Sequence, residues 1–171
     1  MIPKKHFFGS GSSTASDLVA LAALATLWTA PGCSDRAQDN VGRPWDHIQL
    51  QVKDQALDVE VSNDNSSRQL GLMNRKEMPE SSGMLFLFPA LKQQSFWMKN
   101  TLIDLSIAFL GDDGKILEIA DMKAHDESHT QSKSQVRHAL EVNKGWFQKH
   151  GIGVGDSFAD FHTKIAKFVV R

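Results

Sequence analysis

Cysteine is nearly missing from this chain: Cys33 is the only one among 171 residues, so an internal disulfide is excluded. Long apolar runs are missing too. Past Leu27 no stretch reaches the eighteen or more apolar residues of a spanning helix, which leaves the remainder aqueous. Charge of one sign is equally scarce. Removing residues 1–32 deletes Lys4, Lys5 and Asp17 and leaves 17 basic and 19 acidic residues, a formal charge of −2. That near-balance argues against nucleic acid as a partner, because phosphate-dominated binding needs a clustered basic surface. No internal repeat is visible. Nothing in the sequence matches a nucleophile elbow or a Ser-His-Asp motif, and no closed four-ligand zinc spacing occurs. No catalytic residue, resident metal or cofactor is therefore expected.

The N-terminus carries an address. Lys4 and Lys5 precede an uncharged apolar run from Leu18 to Leu27, too short to span a bilayer, and residues 1–32 read as a signal peptide. Ala30-Pro-Gly-Cys33 follows, and it resembles the lipobox of bacterial lipoproteins. That resemblance implies a lipid on Cys33 and a chain tethered to a membrane facing the periplasm. Residues 33–45 then form a lipidated Cys with a polar tether, and 46–171, about 125 residues, suit a single domain with one core.

Residues 47–53 alternate polar and apolar and place Ile48, Leu50 and Val52 on one face of a strand; 57–61 repeat the pattern, so a hairpin opens the domain. Side-chain oxygens in 63–67 cap a helix expected over Ser67–Glu77, stopped by Pro79. Gly83–Phe88 is a continuous apolar run, the mark of a strand buried on both faces. Strands are expected over Phe96–Met98 and Ile103–Leu110, the latter turning through Gly111-Asp-Asp-Gly114 into Lys115–Ala120. Asp121–Gln135 reads as a long surface loop. Val136–Val142 reads as a strand, Lys144–His150 as a short helix ended by Gly151, Ser157–Phe161 as a last strand, and Lys164–Val170 as a further strand or a frayed end. The fold class is α+β, mostly β: a curled antiparallel sheet or small barrel with two short helices.

Three motifs dominate the domain: Arg68-Gln-Leu-Gly-Leu-Met-Asn-Arg75, Gly83-Met-Leu-Phe-Leu-Phe-Pro89 and Phe96-Trp-Met-Lys-Asn-Thr101. In these the chain resembles the bacterial and archaeal family called domain of unknown function 192, over roughly Asp58 to Phe158. The resemblance implies a compact β-rich fold with a short helix at Gly71-Leu-Met73 and frequent export, and it brings no catalytic assignment. Where the family usually reads Ile-Pro-Leu-Asp after Asn100-Thr101, this chain has Ile103-Asp-Leu-Ser106, so the family's acidic position is Ser106.

Within the motifs, Trp97 and Lys99 are expected to point together, an indole beside an ammonium that suits a polar ligand with an anionic or sugar-like part. The alternative is a packed Trp97 with Lys99 reaching to water. Asn100 serves either a ligand or a turn. Arg68 and Arg75, seven apart, lie along one helix face; they clamp a carboxylate or phosphate, or tie the helix to a carbonyl or to an acid such as Glu141. Arg137 and Glu141 share a strand face and join the same polar cluster. Met73, Met84 and Met98 are thioether candidates for Cu(I), against the ordinary use of Met as core filler. His125, Asp126, Glu127 and His129, with His138, are candidate zinc donors, against a solvated polar loop. Ser106 with Asp104 and a histidine is the one hydrolytic arrangement to weigh.

The functional expectation is an exported, membrane-tethered accessory protein that binds a small polar ligand or an envelope partner without catalysis. Its alternatives are an envelope hydrolase acting on a carbohydrate or ester, and a periplasmic metal-binding protein.

Overall fold

The structure, a computed structural model, describes residues 45–171. The expected signal peptide, Cys33 and most of the expected tether lie outside the described residues. Among the described residues eight strands and three short helices follow in order. They are β1 (His47–Val52), β2 (Gln55–Ser62), α1 (Asn65–Leu70), β3 (Ser82–Lys92), β4 (Ser95–Phe96) and β5 (Leu105–Leu110). After these come β6 (Ile116–Met122), β7 (Thr130–Gln131), β8 (Val136–Asn143), α2 (Trp146–Lys149) and α3 (Phe161–Ile165).

Six strands form one sheet in the order β1-β2-β3-β8-β5-β6, and β4 pairs with β7 separately. The sheet is mixed: β2 and β3 run parallel, joined by a crossover through α1, and the other pairs are antiparallel. It is also open, with β1 and β6 at its edges. The expected all-antiparallel sheet and the barrel alternative are thereby replaced by a mixed open sheet, and the two expected helices by three.

Both faces of the sheet are covered, which is why Gly83–Leu87 and all of β5 are buried and read as unbroken apolar runs. On one face Leu50, Val59, Leu85, Leu110 and Leu140 pack against Trp146, Phe147, Phe158 and Phe161, supplied by the chain after β8. On the other, Met84, Phe86, Ile107, Phe109 and Ala139 pack against Leu72, Phe96 and Met98. Burying a side chain the size of Phe86 or Phe109 stabilises by roughly 2–3 kcal/mol each. No helix among the described residues is long and apolar enough to cross a membrane.

Several element boundaries differ from expectation for local reasons. α1 starts earlier, capped by Asp64, whose side chain accepts the Ser67 N–H at 2.9 Å, and it ends at Leu70 instead of Glu77. Gly71, with φ 47° and ψ −134°, turns the chain out of the helix, so Arg68 and Arg75 do not share a helical face. The expected loop 121–135 contains the end of β6 and the short β7. The expected strand Ser157–Phe161 is absent as such. Ser157 makes one bridge to Lys115, and Asp160, at φ 54°, leads into α3. Beyond α3 the tail packs Phe168 and Val170 on the core, and the Arg171 N–H donates to the Asn63 carbonyl at 2.9 Å.

Candidate functional site

A recess of about 370 Å³ opens beside the second face of the sheet. α1 and the turn after it supply Arg68, Leu72 and Met73; β3 supplies Phe86, Phe88 and Lys92; the stretch from β4 onward supplies Phe96, Trp97 and Thr101; β8 supplies Glu141. Its aromatic wall is ordered by edge-on packing. Phe96 stands 5.1 Å from Phe86 and 6.0 Å from Phe88, centroid to centroid, both near perpendicular.

Glu141 is the unusual member. Alternation along β8 turns it to the same face as Ala139, and the register sets it between Met84 of β3 and Ile107 of β5. Only 5% of it is exposed, and among the described residues its carboxyl has no hydrogen bond and no ion pair. Burial alone pushes its pKa up to about 8. At neutral pH this is a protonated acid at the bottom of an open recess, able to donate one hydrogen bond and accept others. Gly83 lets the strands close here: a Cβ on it would sit 2.5 Å from the Glu141 carbonyl oxygen.

Arg68 stands above Phe88, its guanidinium carbon 5.5 Å from the ring centroid. One terminal nitrogen donates to the Leu87 carbonyl at 2.8 Å; the other donates to Asn65 Oδ1 at 2.6 Å and to the Arg171 carbonyl. Burial draws its pKa down, and Asp64 opposes that shift. Trp97 is 44% exposed at the rim, stacked on His129 at 6.2 Å and 17°. The Lys99 ammonium lies 5.2 Å from the Trp97 ring, so the two do point together, as a surface cation–π pair.

The recess thus brings together Arg68, Trp97 and Glu141, and it leaves the other candidates elsewhere. Arg75 is bound bidentately to Glu60 of β2 at 2.5 and 2.6 Å. Asn100, at φ 55°, forms a turn whose carbonyl accepts the Asn74 N–H at 2.8 Å. Lys99 touches Trp97 but does not line the recess. Arg137 is exposed and borders a different hollow, beside Asp112 and His138. His138 is buried there with its pKa drawn down to about 4, burial being the main cause. Lys92, Gln94 and the phenylalanines are among the lining residues that sequence reasoning did not single out. The continuous apolar run of β3 announced burial, but not a cavity beside it.

The other chemistries find these geometries. The Ser106 hydroxyl donates to Asp121 Oδ1 at 2.6 Å and accepts from the Gly145 N–H at 2.9 Å. Asp104 instead accepts the Ala124 N–H at 2.8 Å and pairs with Lys144 at 3.3 Å. So Ser106, Asp104 and a histidine do not assemble. In the 125–129 stretch Asp126 accepts the Ser128 N–H, and His129 Nδ1 lies 2.9 Å from Ser95 Oγ. Among the described residues no three His, Cys, Asp or Glu side chains gather as metal donors. Met84 and Met98 are core residues, and Met73 borders the recess.

The domain is thus an open mixed sheet, buried on both faces, with an aromatic recess that Glu141 lines from β8. The chain belongs to the domain of unknown function 192 family, described as Uncharacterized ACR, whose model matches residues 48–159. Two solved structures are similar. A Sinorhizobium meliloti 1021 protein, bearing the provisional name of a transcription regulator, is 34% identical, with 66% of this chain and 90% of that one covered and a TM-score of 0.62. A protein of unknown function from Novosphingobium aromaticivorans DSM 12444 is 29% identical, with 66% and 84% covered and a TM-score of 0.62. No curated protein matches the chain.

Proposed function

We propose that this protein is an exported, lipid-tethered accessory protein whose domain binds a small polar ligand in the Arg68–Trp97–Glu141 recess and catalyses nothing. One observation carries the reading: a buried carboxyl left without a partner at the floor of an open recess. Buried polar groups are almost always satisfied, so this carboxyl takes its partner from what enters the recess, water or a ligand able to donate to it. The aromatic wall and the exposed indole supply area for an apolar or planar part of that ligand, and Arg68 and Lys92 supply charge. The near-balanced charge of the chain gives no reason to carry over the regulator name of the Sinorhizobium protein.

The test is a thermal-shift screen of the purified chain against amino acids, sugars, dicarboxylates and nucleotides. A ligand of the recess raises the Tm of the wild type by several degrees, in line with binding far above its Kd, and raises that of Trp97→Ala and Glu141→Gln less. Equal shifts in all three proteins would place the ligand elsewhere. For the tether, Cys33→Ser is expected to move most of the protein from the membrane to the soluble fraction of cells expressing it, because the lipid is the anchor. Retention of the variant in the membrane pellet would reject lipidation at that position.

A further inference from the structure

The recess has a charge order that narrows its ligand. Of the residues that line it, Glu141 is the only acid, and Arg68 and Lys92 are the only permanent bases. Glu141 lies at the buried end and Lys92 at the exposed end. Arg68 has spent three of its N–H groups on Leu87, Asn65 and Arg171, which leaves two of the five in a guanidinium for a ligand. The neighbours that press on Glu141 across the sheet, Met84 and Ile107, carry no charge, and the nearby acid Glu60 is already taken by Arg75.

From this order, and resting on the recess reading above, we infer that the ligand is a zwitterion with an apolar body, an amino acid or short peptide. Its ammonium pairs with Glu141, its carboxylate meets Arg68 and Lys92, and its side chain lies against Phe88, Phe96 and Trp97. A neutral hydroxyl satisfies part of the Glu141 carboxyl; an ammonium satisfies it and also stabilises its ionised form. An amine without an anionic group meets the Lys92 and Arg68 cations without offering them a carboxylate, and an acid without an amine leaves Glu141 unpartnered. Protons balance in one step: the ligand enters as an ammonium and keeps its protons, Glu141 gives up its own to solvent, and an ion pair remains. Binding near neutral pH therefore releases a proton.

Calorimetry on the full chain separates these cases with three probes of one shape: phenylalanine, 2-phenylethylamine without the carboxylate, and 3-phenylpropanoate without the amine. Each is titrated near pH 7 in buffers of different ionisation enthalpy. Phenylalanine is expected to bind at least roughly ten-fold tighter than either analogue. It is expected to release close to one proton, roughly, per molecule bound. In Glu141→Gln the proton release disappears and phenylalanine weakens by roughly ten-fold or more, while 3-phenylpropanoate is unchanged. Glu141→Asp, which keeps the acid, retains the release. If 3-phenylpropanoate matches phenylalanine, or phenylalanine binds with no proton released, the zwitterion is wrong and the recess stands as a site for another ligand. If none of the three binds, the zwitterion is again wrong, and the wider screen with Trp97→Ala decides the fate of the recess itself.

Discussion

Glu141→Gln is expected to make the protein more stable above neutral pH, by an amount that grows with pH and levels off past about pH 8. The unfolded chain releases the Glu141 proton near the ordinary value of 4.5, while the folded chain holds it until about 8. Below the lower value both states are protonated and the carboxyl is neutral in each. Between the two values only the unfolded state ionises, so wild-type stability falls as pH rises through that window. Above the upper value the loss is complete, on the order of a few kcal/mol. Glutamine keeps the shape and polarity of the neutral acid and cannot ionise, so it escapes this loss. Urea midpoints of the two proteins should agree within experimental scatter at about pH 4 and diverge by about pH 9. Parallel curves across that range would show that the carboxyl is solvated after all. An acid retained at a position where an amide is more stable fits a residue kept for binding.

The second large effect lies at Arg75. Its guanidinium and the Glu60 carboxylate are 15% and 13% exposed, and they meet through two parallel hydrogen bonds. Arg75→Ala leaves Glu60 charged and poorly hydrated against the sheet, a loss of roughly 3 kcal/mol. Arg75→Ala with Glu60→Gln should recover part of it, because the stranded charge is gone. The damage is expected to concentrate between Gly71 and Ser81, a stretch with no regular hydrogen bonding of its own. It is pinned otherwise by the Asn74 N–H on Asn100 and by Asn143 Nδ2 on the carbonyls of Met78 and Pro79. Amide exchange in that stretch should quicken more than in β5. Uniform acceleration over the whole domain would show the pair to be a global brace.

What could be read from the residues follows from how local each signal is. Alternation in β1 and β2 and the unbroken apolar runs of β3 and β5 name their strands, because facing and burial are recorded within each segment. The parallel pairing of β2 with β3 is not recorded that way: a strand's sequence carries its exposure but not the direction of its neighbour. The helix read through to Glu77 stops at Gly71 because a glycine that permits continuation also permits an exit, and the packing of Leu72 favours the exit. Phe158 and Phe161 were read on a strand, yet their spacing of three equally suits the turn into α3 that puts both in the core. At the site, the family motifs brought Arg68, Arg75 and Trp97 to notice. Chemistry alone cannot rank two arginines seven residues apart. Glu60, on the sheet face that Arg75 crosses, takes one of them, and the recess keeps the other. Glu141 was visible as a strand acid, but its solitude depends on Met84 and Ile107, which come from two other strands.

The position of β8 has a bearing on how the molecule is made. It is the eighth strand in sequence, yet it lies between β3 and β5 and is hydrogen-bonded to both. Until its residues are available, the N-terminal hairpin with β3 and the β5–β6 hairpin are two separate ribbons with unpaired margins, and Glu141, which β8 carries, is not yet made. Closure is thus a late, long-range event that demands nearly the whole polypeptide. The recess cannot form before Val136–Asn143 has been made, and truncation just ahead of Val136 is expected to leave one chain carrying two sticky ribbons instead of a smaller domain.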